Sequence, residues 1–133
     1  MDDCSAPLPP AARHGLELFN RGEYFEAHEA LEDAWRAEKG EIRSLYQGIL
    51  QAAVMYLHIT RNNYGGALKM FDRCMKLLAP WPDSCRGVDV GGLRRDLSAV
   101  MEAVTRLGPE RLEQFDTSLF KPVRYIMAQD LRD

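Results

Sequence analysis

The sequence predicts an all-α fold: a compact bundle of five or six helices, built from two antiparallel helical hairpins, with the third helix central. Three observations predict it. Leu and Ala supply 30 of the 133 residues while Val, Ile and Thr supply 13, a balance that favours helix over sheet. Apolar residues recur at spacings of three and four along most of the chain, the period of a helix with one buried face. Gly, Asn and Pro interrupt that period at intervals suited to helices of ordinary length. The size is that of one domain, so residues 11–133 are expected to form a single helical domain after a flexible leader, residues 1–10.

The first helix is expected after Pro10, where Ala12, Leu16 and Phe19 share a face, and Asn20-Arg21-Gly22 ends it. A second begins at once with Glu23 in its first turn and runs to about Lys39, before Gly40. The third, from about Glu41 to Arg61, is apolar around most of its circumference, as a helix buried on several sides must be. Asn62-Asn63 breaks it, and a fourth from Tyr64 to Leu78 buries Ala67, Phe71, Cys74, Met75 and Leu78 before Pro80-Trp81-Pro82. Residues 83–92 read as a long loop in which Asp89 caps a fifth helix. That helix carries Val90, Leu93, Leu97, Val100, Val104 and Leu107 in one narrow stripe, for packing in the bundle or against a partner helix. Pro109 suits the first turn of a short last helix with Leu112 and Phe115, and Val123, Ile126 and Met127 follow as a tail. Arg21, Tyr24 and Ala27 reappear as Arg61, Tyr64 and Ala67, an echo at the turns of two hairpins that resembles the tetratricopeptide pattern.

Several function classes are disfavoured. With 17 basic and 20 acidic residues the net charge is −3, and the arginines are scattered among carboxylates, so no nucleic-acid footprint is expected. No apolar run approaches the roughly 18 residues of a membrane span, so no membrane partner is expected either. Cys4, Cys74 and Cys85 form an odd set without a C-x-x-C pair, which reads as reduced thiols in a cytoplasmic protein. Cys74 falls on an apolar face, whereas Cys85 lies in a polar loop with no neighbouring base to activate it.

A helical wheel singles out one feature. On helix two, Tyr24, Leu31, Trp35 and Phe25 cluster within about 60° of His28, which defines a buried face with His28 at its centre. Glu32 falls inside that face at about +40°, while Glu29 lies at its edge near +100°. A carboxylate among aromatics must be paired, hydrogen-bonded or protonated. On helix three, Ser44, Gln47, Gln51 and His58 form one polar stripe. An antiparallel pairing of helices two and three about Gly40 brings the stripe to Glu32 and His28, with Gly48 permitting close approach. The expected result is a buried His/Glu/Gln cluster, structural or binding a small polar ligand. No catalytic residue, cofactor or metal is predicted. One alternative is a metal-dependent, hydrolase-like enzyme with a divalent ion on His28 and Glu32, although the third ligand, His58, is displaced along the axis. Another is an interaction module that binds a protein partner or forms a homodimer. The enzyme reading is the weaker, because no reaction can be assigned.

The run from Gly22 to Trp35, followed by Gln47-Gly48-Ile-Leu-Gln51-Ala52 and His58-x-x-Arg61-x-Asn63-x-x-Gly66-Ala67, resembles the helical family known as domain of unknown function 309. The resemblance covers about residues 14 to 78. It implies a compact all-helical protein and no particular reaction. Its recurring motif residues fall on His28, Glu29, Glu32, Trp35, Gln47, Gly48, Gln51, His58 and Asn63, which overlap the cluster drawn from the wheels. A fold-determining network and a binding site leave the same pattern.

Overall fold

The computed structural model describes residues 2–126. Among them are five α-helices, α1 (Pro10–Asn20), α2 (Tyr24–Ala37), α3 (Arg43–Thr60), α4 (Tyr64–Leu78) and α5 (Val90–Leu107). Helix α3 packs most extensively, against α4 on one side and α2 on the other, while α1 closes the bundle on α2. Ten of its residues are buried, among them Leu45, Ile49, Ala53 and Tyr56, as expected of the central helix.

Local signals set the boundaries. Pro10 occupies the first turn of α1, where its missing N–H is no loss. The chain leaves α1 through Gly22 at φ +80° and leaves α3 through Asn62 at φ +58°, the left-handed step that closes a helix end. The two turns share one hydrogen-bond pattern at an offset of 40: Glu23 N–H donates to Leu18 O at 3.0 Å, and Asn63 N–H to His58 O at 2.8 Å. Ala27 and Ala67, the next equivalent pair, are both wholly buried. The echo in the sequence is therefore two hairpins with the same hinge.

Two expectations change beyond α4. The segment expected as a loop contains a small antiparallel ladder, β1 (Ser84–Cys85) with β2 (Val88–Asp89). Two-residue strands carry too little alternation to be read from sequence. Asp89 does cap α5, accepting from Gly92 N at 2.8 Å. The short last helix is replaced by 3-10 turns at Leu112–Gln114 and Thr117–Leu119, where Phe120 turns inward against Tyr56 and Tyr24 and Phe115 packs on Phe120 instead of following a helical face. The α5 stripe from Val90 to Val104 is buried within the chain, so it is not open to a partner helix.

Both ends of the described segment are tied to the bundle. Asn20 both donates to Val123 O and accepts from Val123 N, at 2.9 and 2.7 Å. Tyr125 bridges to Val88. Met127, named with the tail, lies outside the described residues. In the segment read as a leader, Asp2–Ser5 forms a 3-10 turn and Leu8 is buried. The cysteine reading is corrected: Cys4 and Cys85, 81 residues apart, form a disulfide, and Cys85 is 1% exposed. Pairing depends on where the fold brings two thiols, and an odd count conceals it. Cys74 is buried as expected, and burial pushes its thiol up to about 12. No helix among the described residues is long and apolar enough to cross a membrane.

Candidate functional site

The face built from α2 and α3 differs from its expected form in one respect that controls the rest. Helix α2 buries Ala27, Leu31 and Ala34, so its buried face is turned by roughly a quarter of a circle from the one centred on His28. Small residues carry the closest helix approaches. A Cβ added at Gly15 of α1 would lie 2.5 Å from Leu31 Cγ, which shows how tightly α1 seats there. Tyr24, His28 and Trp35 are left half-buried at the margin. Phe25 is 48% exposed, and Glu26, Glu29 and Asp33 reach solvent.

The buried polar cluster is therefore not formed: tyrosine and tryptophan apart, no residue with a polar or charged side chain is fully buried among the described residues. Glu32 is half-exposed and pairs with Arg36 one turn on, at 3.3 Å. Gln47 and Gln51 are half-buried, and neither side chain makes a hydrogen bond among the described residues, to Glu32, His28 or another group. Gly48 admits α4 rather than α2, since a Cβ there would meet Leu78 Cδ2 at 2.7 Å. Ser44 is engaged on the same side, accepting from Trp81 Nε1 at 3.0 Å.

His58 serves the α3/α4 turn. Gly66 N–H donates to Asn63 Oδ1 at 3.0 Å, which leaves the Asn63 amide nitrogen to donate to His58 Nδ1 at 3.0 Å. The imidazole must then be neutral with its proton on Nε2. Burial, and secondarily the Arg61 charge, hold its pKa below the ordinary histidine value. No third His, Cys, Asp or Glu among the described residues joins His28 and Glu32 in a group able to hold a metal ion.

One residue absent from the sequence reading, Arg43, completes the face. The Arg43 guanidinium lies 4.6 Å above the Trp35 ring, a cation–π contact, and its buried Nε has no hydrogen-bond partner. Trp35 and Arg43 stand symmetrically about Lys39, one residue from the Gly40 pivot of the antiparallel register expected from the sequence. Phe25 was assigned to the core by its type. The described clefts lie elsewhere; one of about 450 Å³ is lined by Asn20, Tyr24, Leu57, Thr60, Thr117 and Phe120.

The face lies wholly within a segment of known kinship. The sequence profile of the family described as Domain of unknown function (DUF309) matches residues 12–70. Over those residues the chain is similar to that family. The segment similar to DUF309 thus covers most of α1, all of α2 and α3 and the start of α4, whereas the disulfide, the β-ladder and α5 lie outside it. An "Uncharacterized protein" of Aquifex aeolicus is 30% identical over 84 residues, 62% of this chain and 25% of its own length. "Uncharacterized protein YpuF" of Bacillus subtilis is 31% identical over 92 residues, 67% of this chain and 53% of its own. The matched region spans a quarter of one relative and about half of the other.

Proposed function

We propose that the segment similar to DUF309 is a recognition module that binds a basic, amphipathic stretch of another polypeptide on the α2/α3 face. The observation that carries this reading is the pair of half-buried side-chain amides on α3, Gln47 and Gln51, without protein hydrogen bonds, with an exposed Phe25 on α2 and the stacked Trp35–Arg43 pair between the two helices. Amides at an open surface offer donors and acceptors to a partner. Phe25 supplies an apolar anchor of the kind that dominates small interfaces. Glu26, Glu29, Glu32 and Asp33 give α2 a negative field that steers a Lys/Arg-bearing segment. His28 and Trp35 line the same helix at spacings that a docked chain spans.

The other readings have less support. A structural network requires hydrogen bonds between Glu32 and the glutamines, and Glu32 is occupied by Arg36. An enclosed small-ligand site requires walls, and this face is open. A hydrolytic metal site requires a further ligand beside His28 and Glu32.

The test is a nuclear magnetic resonance titration of the full chain with a synthetic 20-residue amphipathic Leu/Lys peptide and its Leu/Glu counterpart. Saturable shifts confined to Phe25, His28, Trp35, Gln47 and Gln51 with the Lys peptide alone support the proposal. Equal effects from both peptides, or shifts elsewhere, overturn it.

A further inference from the structure

The β-hairpin turn has an unusual composition. Arg86 and Gly87 have φ of +52° and +78°, as in a type I′ turn, whose first central position ordinarily takes Asn, Asp or Gly. An arginine held in the left-handed region is strained and persists only where its surroundings over-determine it. Here they do. The Arg86 N–H donates to Cys4 O at 2.7 Å, and its Nε donates to Asp3 O. One guanidinium nitrogen donates to the Tyr46 hydroxyl at 3.0 Å and lies 3.9 Å from a Glu38 carboxylate oxygen. The side chain is 11% exposed. A single residue thus joins the N-terminal 3-10 turn, the α2/α3 connection and the first turn of α3. The residue before it, Cys85, is bonded to Cys4, so the disulfide fastens the N-terminal turn over this arginine.

We propose that Cys4–Cys85 is a reducible strap: closed, it clamps the N-terminal turn on Arg86, Tyr46 and Glu38, and opened by a dithiol reductant, it releases that turn and exposes Arg86. Cys85 is buried and Cys4 only half-buried, so the attacking thiolate reaches Cys4 Sγ. That attack forms a mixed disulfide on Cys4 and expels Cys85 as a thiolate, which takes up a proton. The second thiol of the reductant then attacks its own sulfur in the mixed disulfide, releases Cys4 as a thiol and closes the reductant's disulfide. Two electrons and two protons pass to the protein. Without the covalent bond, the described contacts between Arg86 and the turn are two hydrogen bonds to backbone carbonyls. The strained arginine can then relax, while the hairpins, packed through Leu31, Ala53, Ala67 and their neighbours, keep their structure. The proposal does not depend on the recognition reading.

Thiol titration in denaturant and hydrogen exchange of the full chain, oxidised and then treated with dithiothreitol, provide the test. The oxidised protein should show one titratable thiol, Cys74, and the reduced protein three. On reduction, exchange of the Arg86 amide and tryptic cleavage after Arg86 should each accelerate at least tenfold, with α3 and α4 amides unchanged. Cys4→Ser should behave as the reduced form and ignore dithiothreitol; should it not fold, reoxidation of the reduced parent must restore protection. Three titratable thiols after oxidation, unchanged exchange, or loss of protection throughout the helices on reduction each overturn the proposal.

Discussion

Replacing Gly48 by alanine sets two effects of known sign against each other. Gly48 lies inside α3, so alanine should gain about 1 kcal/mol in helix propensity. The added methyl, however, would sit 2.7 Å from Leu78 Cδ2, 2.9 Å from Leu78 Cγ and 3.4 Å from Leu77 Cβ. Leu78 is wholly buried, and Cγ is its branch point, so rotating the terminal methyls cannot clear the clash. The α3/α4 pair must separate, an overpacking strain of about 1–3 kcal/mol. The net expectation is a loss of about 1 kcal/mol. For 133 residues, an unfolding entropy of about 2.1 cal/mol/K per residue makes this a Tm lower by about 4 °C. Gly65→Ala is the control: nothing lies within 4 Å of its added Cβ, so it should be neutral or stabilising by up to about 1 kcal/mol. Shortening Leu78 to Val should cost less in the Gly48→Ala background than alone, a coupling that a double-mutant cycle in urea reads directly. A Gly48→Ala protein that gains as much stability as Gly65→Ala would refute the close-approach argument.

Three further outcomes follow from the same contacts. Asn63→Ala removes the acceptor for Gly66 N and should destabilise by about 1 kcal/mol in chemical denaturation, whereas Asn63→Asp keeps the cap and should raise the His58 pKa in a proton-resonance titration, reversing its present direction. Because the His58 pKa is lowered in the folded state, its contribution to stability is fully present above the unfolded value near 6.5 and is lost as pH falls from there through the folded value; melts between pH 7 and 5 should show a decline that His58→Gln lessens, and an identical decline in that variant would contradict the assignment. Glu32→Ala removes a half-exposed pair with Arg36 and should cost no more than about 0.5 kcal/mol; a loss above about 2 kcal/mol in a urea titration would restore the buried network that the sequence suggested.

The sequence by itself determined the helices, because the signals that start and stop them act within a few residues. Pro10, Gly22, Asn62-Asn63 and Pro80 bound α1 to α4, and Asp89 caps α5, each doing its work through its own backbone or the next turn. The alanine of each hairpin hinge and the apolar circumference of α3 were likewise legible, since both are properties of one helix. The tertiary structure alone decided which side of α2 is buried. A wheel weighs residues by hydrophobicity and placed His28 and Glu32 inside among aromatics, whereas the bundle buries the side that carries Ala27, Leu31 and Ala34, with Gly15 of α1 seated on Leu31. The same rotation left Phe25 exposed and the glutamines unpaired. The partnership of Cys4 with Cys85 and the anchoring of Arg86 on Asp3, Tyr46 and Glu38 depend on contacts between segments up to 83 residues apart. No local pattern encodes such contacts, because they exist only once the helices have brought those segments together.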